Sequence, residues 1–234
     1  MSGSTQILHE QPGAQLVETS FREHLPLIDE AVAQAKPLLI SRPKIEVYNR
    51  EVEQPRDVGF FSDESRGYFY SRRVMHAQPL TPALKEILAL INAKFDAEFN
   101  GLLVNRYHNG KDSVGAHADS EAALDPKSGV VAITWGAERK FRIRGKTPGK
   151  AGPILKDVKT RHGYALQMKG ERFQKDLTHE VVAEAKIQGE RVSITARRHV
   201  PADEEKLFAA YEKRAQKRAR ESEPDAAPES KRVA

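Results

Sequence analysis

The sequence contains no cysteine, and this absence limits the chemistry that the protein can perform. Disulfide bonds, thiolate nucleophiles and cysteine-ligated zinc or iron–sulfur sites are all excluded. The chain also lacks a run of about 18 apolar residues, the length that crosses a bilayer, and it shows no charged-then-apolar leader. We therefore expect an intracellular protein that does not enter membranes. Any metal ion must be bound by histidine and carboxylate side chains.

The charge and the size of the chain set two further expectations. There are 38 lysines and arginines against 33 aspartates and glutamates, which gives a formal net charge of +5. This excess favours a polyanionic partner, although it is common among ordinary enzymes. A length of 234 residues with 39% hydrophobic composition suffices for one core, so we expect one domain over residues 19–200. A loose polar arm over residues 1–18 and a basic, helical and then disordered tail over residues 201–234 should flank it.

Predicted helices precede predicted strands along the domain. Thr81 can cap a helix that has Pro82 in its first position, and apolar residues follow with helical spacing up to Phe95. A weaker helical pattern covers residues 22–36, with Pro26 in its first turn. After residue 100 the pattern changes to short strand-like runs: Gly101–Tyr107, Val130–Trp135, Lys140–Arg144, Gly163–Met168 and Arg191–Arg197. This order predicts an α+β fold in which a curled antiparallel double sheet, as in a jelly roll, has supporting N-terminal helices.

Two potential metal ligands follow the first of these strands. His117 and Asp119 are two residues apart, so on an extended chain both side chains point to one side and can bind one cation. Two histidines and one carboxylate on one face of an ion leave adjacent positions open, as non-haem Fe(II) oxygenases require. His179 is the favoured third ligand because it precedes an apolar pair and an unusual strand, while His162 and His199 remain possible. Taken alone, the pair also fits a surface histidine beside a solvated aspartate.

The unusual strand, Arg191–Arg197, alternates between two kinds of side chain. Val192, Ile194 and Ala196 form an apolar face, whereas the other face carries Arg191, Ser193, Thr195 and Arg197. Guanidinium groups hold carboxylates in a bidentate fashion, so this polar face could bind a short dicarboxylate inside a barrel. An edge strand with a solvated basic face is the alternative.

Three motifs in this order resemble the AlkB family of Fe(II)- and 2-oxoglutarate-dependent dioxygenases. They are Asn105-Arg106-Tyr107-His108-Asn109-Gly110, then His117-Ala118-Asp119 with the later His179, then Arg191-X-Ser193-X-Thr195-X-Arg197. The resemblance covers residues 44–199 and implies a double-stranded β-helix with Fe(II) on His117, Asp119 and His179. It further implies that 2-oxoglutarate chelates the iron, that O2 is the oxidant, and that the co-substrate is bound by Asn105, Tyr107, Arg191 and Arg197. Ser193, where the family usually has Asn, and Thr195 belong to the same predicted co-substrate face.

The resemblance implies oxidative dealkylation of N-alkylated bases in DNA or RNA, with release of formaldehyde, succinate and CO2. A base inside a duplex cannot reach such an iron, so it must be flipped out or presented on a single strand. The segment 57–71 resembles the nucleotide lid of the family. The predicted substrate residues are Tyr68 and Tyr70 for stacking, Phe60 and Phe61 near the vacated stack, Arg72 and Arg73 for phosphates, and Ser71 and Glu121 near the base. Lys140, Arg142 and Arg144 alternate onto one strand face, either as further phosphate contacts or as a solvated face.

Two other functions stay open from the sequence. A 2-oxoglutarate-dependent hydroxylase of a protein or small molecule would use the same iron and co-substrate residues. A non-catalytic nucleic-acid-binding module would not need either set to be complete. We expect a monomer that binds nucleic acid, nuclear if the source is eukaryotic and otherwise cytoplasmic. The basic run Lys213–Arg220 would assist nucleic-acid binding or nuclear import.

Overall fold

The computed structural model describes residues 4–47, 50–70, 73–120 and 123–222, with the backbone alone for residues 46, 47, 69, 70, 73 and 214–222. The strands are β1 Thr5–Gln11, β2 Ala14–Ser20, β3 Lys44–Val47, β4 Arg50–Glu53, β5 Asp57–Phe61, β6 Gly67–Tyr70, β7 Arg73–His76, β8 Gly101–Tyr107, β9 Val114–His117, β10 Val130–Gly136, β11 Arg139–Gly145, β12 Ile154–Thr160, β13 Tyr164–Lys169, β14 Leu177–Val181 and β15 Arg191–Arg197. The α-helices are α1 Leu25–Ala35, α2 Pro82–Phe95, α3 Phe173–Asp176 and α4 Pro201–Ser222. Two 3-10 helices cover Arg22–His24 and Lys36–Leu38.

Two antiparallel sheets build the centre of the molecule. The larger has the strand order β1-β2-β13-β10-β15-β8-β5, and the smaller has the order β12-β11-β14-β9. An apolar cluster joins them, with Tyr107 and Met168 from the larger sheet and Phe141 and Val181 from the smaller. The predicted α+β double-stranded β-helix, or jelly roll, is thus confirmed. Two separate hairpins, β3–β4 and β6–β7, lie beside the sheets.

The other side of the larger sheet is covered by α1 and α2. Ile28 of α1 and Ile87 of α2 belong to one buried cluster with Val192 and Ile194 of β15. Because successive side chains of a strand point to opposite faces, packing the apolar face of β15 on these helices turns its polar face toward the smaller sheet. The amphipathic pattern of one strand therefore determines where the polar side chains collect.

The strong helical pattern is confirmed by α2. Thr81 is its N-cap, with Oγ1 accepting a hydrogen bond from the Leu84 amide at 3.3 Å, and Pro82 is the first helical residue. Helix α1 begins at Leu25, so Pro26 lies in its first turn, where the missing amide hydrogen is not needed.

The loose arm expected over residues 1–18 is wrong from residue 5 onward. Strand β2 pairs with β13 of the larger sheet, and its Leu16 is fully buried. Strand β1 is the edge strand beside β2, and five of its seven residues are polar, so its composition is similar to that of a linker. Strand β2 buries polar Glu18 and Thr19 together with its apolar residues, so it does not show a strong alternating pattern.

Residues 201–222 form α4, and residues 223–234 lie outside the described part of the chain. Within the described ranges, no helix is both long and apolar enough to span a bilayer.

Candidate active site

Three side chains that the sequence singled out lie together between the two sheets. His117 ends β9 and is the cross-strand partner of His179 on β14, so their imidazole rings lie 4.4 Å apart between centroids. Asp119 follows two residues after His117, with its carboxylate oxygens 3.7 Å from Nε2 of each histidine. One ligand atom from each of the three residues lies within 4.8 Å of the others. The predicted His117, Asp119 and His179 group is therefore able to hold one ion.

The carboxylate of Asp119 is fixed in place but not fully satisfied. Its backbone amide donates to Oε1 of Gln174 at 2.8 Å, and Nη2 of Arg197 donates to Oδ1 at 2.5 Å. The other oxygen, Oδ2, is buried and has no hydrogen-bond partner among the described residues. A buried carboxylate oxygen without a partner is costly unless a cation binds it, so the site fits a metal ion.

The electrostatics of the three residues also suit a metal. Burial, reinforced by the neighbouring His117, lowers the pKa of His179 to about 3. Burial likewise lowers the pKa of His117, whose Nδ1 contacts the Gly115 carbonyl at 2.9 Å. Burial would raise the pKa of Asp119, but the Arg197 charge and the two imidazoles hold it below its ordinary value. The site thus presents two neutral imidazoles and one carboxylate, a donor set that divalent iron accepts.

A second polar group, from β15 and β8, lies in the same cavity. The two strands are paired so that Arg191 lies opposite Tyr107 and Ser193 lies opposite Asn105. Arg191 is 3% exposed, and its Nη2 donates to Oγ1 of Thr134 at 3.2 Å. Its Nε and Nη1 are buried without a hydrogen-bond partner among the described residues. Unpaired guanidinium donors in a buried cavity fit a carboxylate ligand.

Both faces of β15 are buried, and the solvated-edge alternative is therefore wrong. Strand β15 lies between β10 and β8, and all seven of its residues are buried. The cavity between the sheets is lined by every predicted metal and co-substrate residue: His117, Asp119, His179, Asn105, Tyr107, Arg191, Ser193, Thr195 and Arg197.

Two polar residues of the site were missed by the sequence analysis. Arg56 is buried in the cavity wall, and its Nε donates to Oδ1 of Asn105 at 2.9 Å. Gln174 on α3 holds the backbone of Asp119. Neither lies in a periodic pattern or beside a predicted ligand. The one available signal was that Arg56 directly precedes β5, whose apolar run begins at Val58.

The predicted substrate residues lie in different parts of the structure. Tyr68 of β6 is 6% exposed and packs in one cluster with Phe60, but unlike Phe60 it lines the cavity, where the Arg197 guanidinium carbon lies 4.9 Å from its ring centroid. The predicted role of Phe60 and Phe61 beside a vacated base stack is wrong, because both are fully buried. Phe60 packs between Tyr68 and His199, and Phe61 joins the core under the helices. All five residues of β5 are buried, so this strand is part of the core.

The remaining substrate residues are described less fully. Tyr70 and Arg73 lie on β6 and β7 with the backbone alone described, whereas Ser71, Arg72 and Glu121 lie outside the described residues. The basic face of β11 is occupied by ion pairs: Arg142 contacts Asp157 at 2.7 Å, and Arg144 contacts Glu180 at 2.9 Å. These pairs favour an internally neutralised strand face over a phosphate-binding one.

Comparison with known proteins agrees with this geometry. The chain matches the 2OG-Fe(II) oxygenase superfamily over residues 15–197. It is 33% identical over 181 residues to DNA oxidative demethylase ALKBH2 of Arabidopsis thaliana, covering 67% of this chain and 57% of that protein. It is 33% identical over 155 residues to human alpha-ketoglutarate-dependent dioxygenase alkB homolog 3, covering 64% of this chain and 53% of the relative. The solved structure of OsALKBH1 superimposes with a TM-score of 0.53 at 17% identity, covering 83% of this chain and all of that one, and supports the fold.

The chain belongs to the 2OG-Fe(II) oxygenase superfamily. The superfamily uses Fe(II), 2-oxoglutarate and O2, the cofactor set predicted from the sequence. Within it the chain is an AlkB-like member, similar to the ALKBH2 and alkB homolog 3 proteins. The aligned region spans only a little over half of the first of these relatives.

Proposed function

We propose that this protein is an oxidative dealkylase of N-alkylated bases in nucleic acid. The observation that carries the proposal is the composition of one cavity. It combines a His117–Asp119–His179 group, the unpaired donors of Arg191, and the aromatic ring of Tyr68. The similarity to proteins named DNA oxidative demethylase supports the substrate class.

In this proposal His117, Asp119 and His179 hold Fe(II), which with 2-oxoglutarate and O2 supplies the oxidising chemistry. Arg191, whose Nε and Nη1 have no hydrogen-bond partner among the described residues, would bind the distal carboxylate of 2-oxoglutarate beside the Tyr107 ring, which lies 5.1 Å from the guanidinium carbon. Asn105, Ser193 and Thr195 provide polar contacts along the same face. In the overall reaction, 2-oxoglutarate becomes succinate and CO2, and the N-methyl group leaves as formaldehyde.

Arg197 and Gln174 act by positioning. Arg197 holds Oδ1 of Asp119, so that Oδ2 remains directed to the metal position. Gln174 fixes the backbone of the same residue at the end of β9. Fixing a ligand in advance lowers the cost of ordering it when the ion binds.

The nucleic-acid side of the proposal rests on Tyr68. A base that leaves its stack needs an aromatic surface, and Tyr68 offers one at the wall of the cavity. Such a substrate is intracellular, so we place the protein in the nucleus of a eukaryote or otherwise in the cytoplasm. A monomer suffices for this activity, because one chain supplies both the metal ligands and the residues that bind 2-oxoglutarate.

The direct test is coupling between the oligonucleotide and 2-oxoglutarate consumption. Succinate formation with Fe(II) and ascorbate should rise when oligonucleotides carrying N-methylated bases are added, and it should not rise with the unmethylated strands. If neither oligonucleotide raises succinate formation while the protein binds Mn(II) and 2-oxoglutarate normally, the site would instead be assigned to hydroxylation of a protein or small molecule.

A further inference from the structure

Helix α4 carries a basic run that the catalytic site does not use. Between Glu212 and Ser222 the sequence has five cationic residues against two glutamates: Lys213, Arg214, Lys217, Arg218 and Arg220. The backbone of this segment continues the helix that begins at Pro201. Outside its first turns the helix has almost no apolar residues, so its placement depends on how those first turns are attached.

The first turn is attached by Glu204. This side chain is 1% exposed, and its carboxylate accepts hydrogen bonds from the Arg66 amide at 3.1 Å and from the Ser65 hydroxyl. Nδ1 of His199 lies 3.2 Å from the same carboxylate. Ser65 and Arg66 directly precede β6, so this buried network ties α4 to the hairpin β6–β7.

The next two turns contact the same hairpin. Phe208 is buried, its ring centroid lies 5.8 Å from that of His76 on β7, and the Arg66 guanidinium lies over it at 4.2 Å. Glu212 reaches Arg66 at 4.0 Å. Residues 204, 208 and 212 recur every four positions, so one face of α4 is fixed against β6–β7 over three turns.

A basic stripe occupies the opposite face. At about 100° per residue, positions 206, 213, 217 and 220 fall roughly 120° to 180° around the helix from Phe208. Lys206 is 80% exposed, with Asp203 at 3.5 Å, and Lys213 is exposed as well. The backbone of the helix continues over residues 217 and 220, whose positions lie on the same side by helical spacing, so the four positions extend along about 20 Å of helix.

The hairpin that holds α4 is also the one that carries Tyr68 to the cavity wall. We propose that α4 is a nucleic-acid backbone clamp, in which Lys206, Lys213, Lys217 and Arg220 contact phosphates of the strand whose base enters the cavity. Charge complementarity favours a phosphate backbone. A short stretch of chain leads from Arg197 of the cavity through His199 to Glu204. This connection fixes the position of α4 relative to the site. This inference rests on the proposed function.

The test compares two variants with the same loss of charge. Lys213→Gln/Lys217→Gln/Arg220→Gln removes most of the stripe and keeps good helix formers. The control, Lys156→Gln/Lys159→Gln/Lys169→Gln, removes three exposed lysines from β12 and β13. These lysines lie away from α4, because the hairpin β6–β7 contacts β5, and β13 is four strands away from β5 in the larger sheet. Binding of an unmethylated single-stranded oligonucleotide is measured by fluorescence anisotropy at several salt concentrations, and circular dichroism checks helix content.

The stripe variant should bind more weakly at low salt. Its slope of log affinity against log salt should fall by roughly 2, because each lost phosphate contact on a single strand removes about 0.7. With a methylated oligonucleotide its KM should rise while kcat at saturation stays unchanged. If the stripe variant matches the β12–β13 variant while the wild type repairs normally, the clamp is overturned and the proposed function stands. If the wild type neither binds nor repairs oligonucleotides, both fail.

Discussion

Asp119 is the residue on which the site depends most, because its carboxylate meets both histidines and Arg197. Its loss would remove one carboxylate contact of the buried Arg197 guanidinium and would leave the metal site incomplete. Spacing placed Asp119 and His117 on one side of an extended segment, and the order of the motifs along the chain then selected them as metal ligands. The contact with Arg197 could not be predicted, because it joins residues 78 positions apart.

Asp119→Asn should remove metal binding while keeping the shape of the side chain. An amide cannot neutralise a divalent ion, and changes in the surroundings of a ligand alone cost about 10- to 100-fold in affinity, so losing the ligand should cost at least about 100-fold. Calorimetric titration with Mn(II) measures this loss. Asp125→Asn is the control, because that carboxylate closes a turn with Lys127 and Ser128, lies 3.8 Å from Arg198 and does not line the cavity. An unchanged Mn(II) affinity in Asp119→Asn would remove the metal site from the account.

Arg191→Lys should weaken 2-oxoglutarate binding by roughly 10- to 100-fold, since an ammonium lacks the two-pronged contact and a charge-assisted hydrogen bond contributes about 1.5–3 kcal/mol. Titration of the Mn(II)-loaded protein with 2-oxoglutarate gives the affinity. Arg142→Lys, on the ion-paired face of β11, should bind 2-oxoglutarate like the wild type. Equal affinity in the Arg191 and Arg142 variants would mean that Arg191 has only a structural role.

At the scale of elements, strands with a clear apolar or alternating pattern were predictable, and strands without one were not. Strands β8 and β15 have the predicted bounds, because β8 contains the apolar run Leu102–Val104 and β15 alternates over seven residues. Strands β9 and β14 carry the metal ligands but have four and five residues, too few for a pattern to stand out. Strand β5 has a phenylalanine pair that fits an exposed lid as well as a core, and only tertiary packing decides between the two.

The burial of β5 changes what its variants should do. Phe60→Ala and Phe61→Ala should each lower the free energy of unfolding by about 3–5 kcal/mol, as expected for large cavities in a core. Denaturant titration measures this. Tyr68→Ala should also lower stability, because Tyr68 packs on Phe60, but the variant that remains folded should in addition bind alkylated oligonucleotide roughly tenfold or more weakly, the value of one stacked base. A Phe60 variant that is fully stable and selectively defective on duplexes would restore the lid interpretation.

The attachment of α4 should be sensitive to acid. Burial would raise the pKa of Glu204, but His199, the Ser65 hydroxyl and the Arg66 amide hold it below its ordinary value of 4.5. A carboxyl with a depressed folded pKa stabilises the fold above its unfolded pKa, and this contribution is lost as the pH falls through the folded value. Glu204→Gln should thus be less stable than the wild type near neutral pH, and the difference should shrink in acid below pH 4.5.

Urea unfolding of both proteins across that pH range measures the difference. Glu205→Gln is the matched control, since Glu205 is the exposed neighbour on the same helix. A stability difference that does not change with pH would show that the ionised carboxylate contributes nothing to the attachment.

At the scale of the whole molecule, the sequence predicted the jelly roll because helices precede a series of short alternating strands. The contribution of β1 and β2 to the larger sheet was not predictable, since their pairing with β13 is long-range and their polar edge resembles a linker. The attachment of α4 could not be predicted either, because its contact between Ser65 and Glu204 joins residues 139 positions apart. Local periodicity predicts elements, whereas long-range packing decides which polar residues share a site.

The most direct measurement is the mass of an oligonucleotide with one N-methylated base after incubation with the protein, Fe(II), ascorbate and 2-oxoglutarate. The methyl group should be replaced by hydrogen, with formaldehyde and succinate formed in equal amounts, and the Asp119→Asn variant should leave the mass unchanged. An unchanged mass with the wild-type protein, on single-stranded and double-stranded DNA and RNA alike, while the protein binds Mn(II) and 2-oxoglutarate normally, would contradict the proposed function.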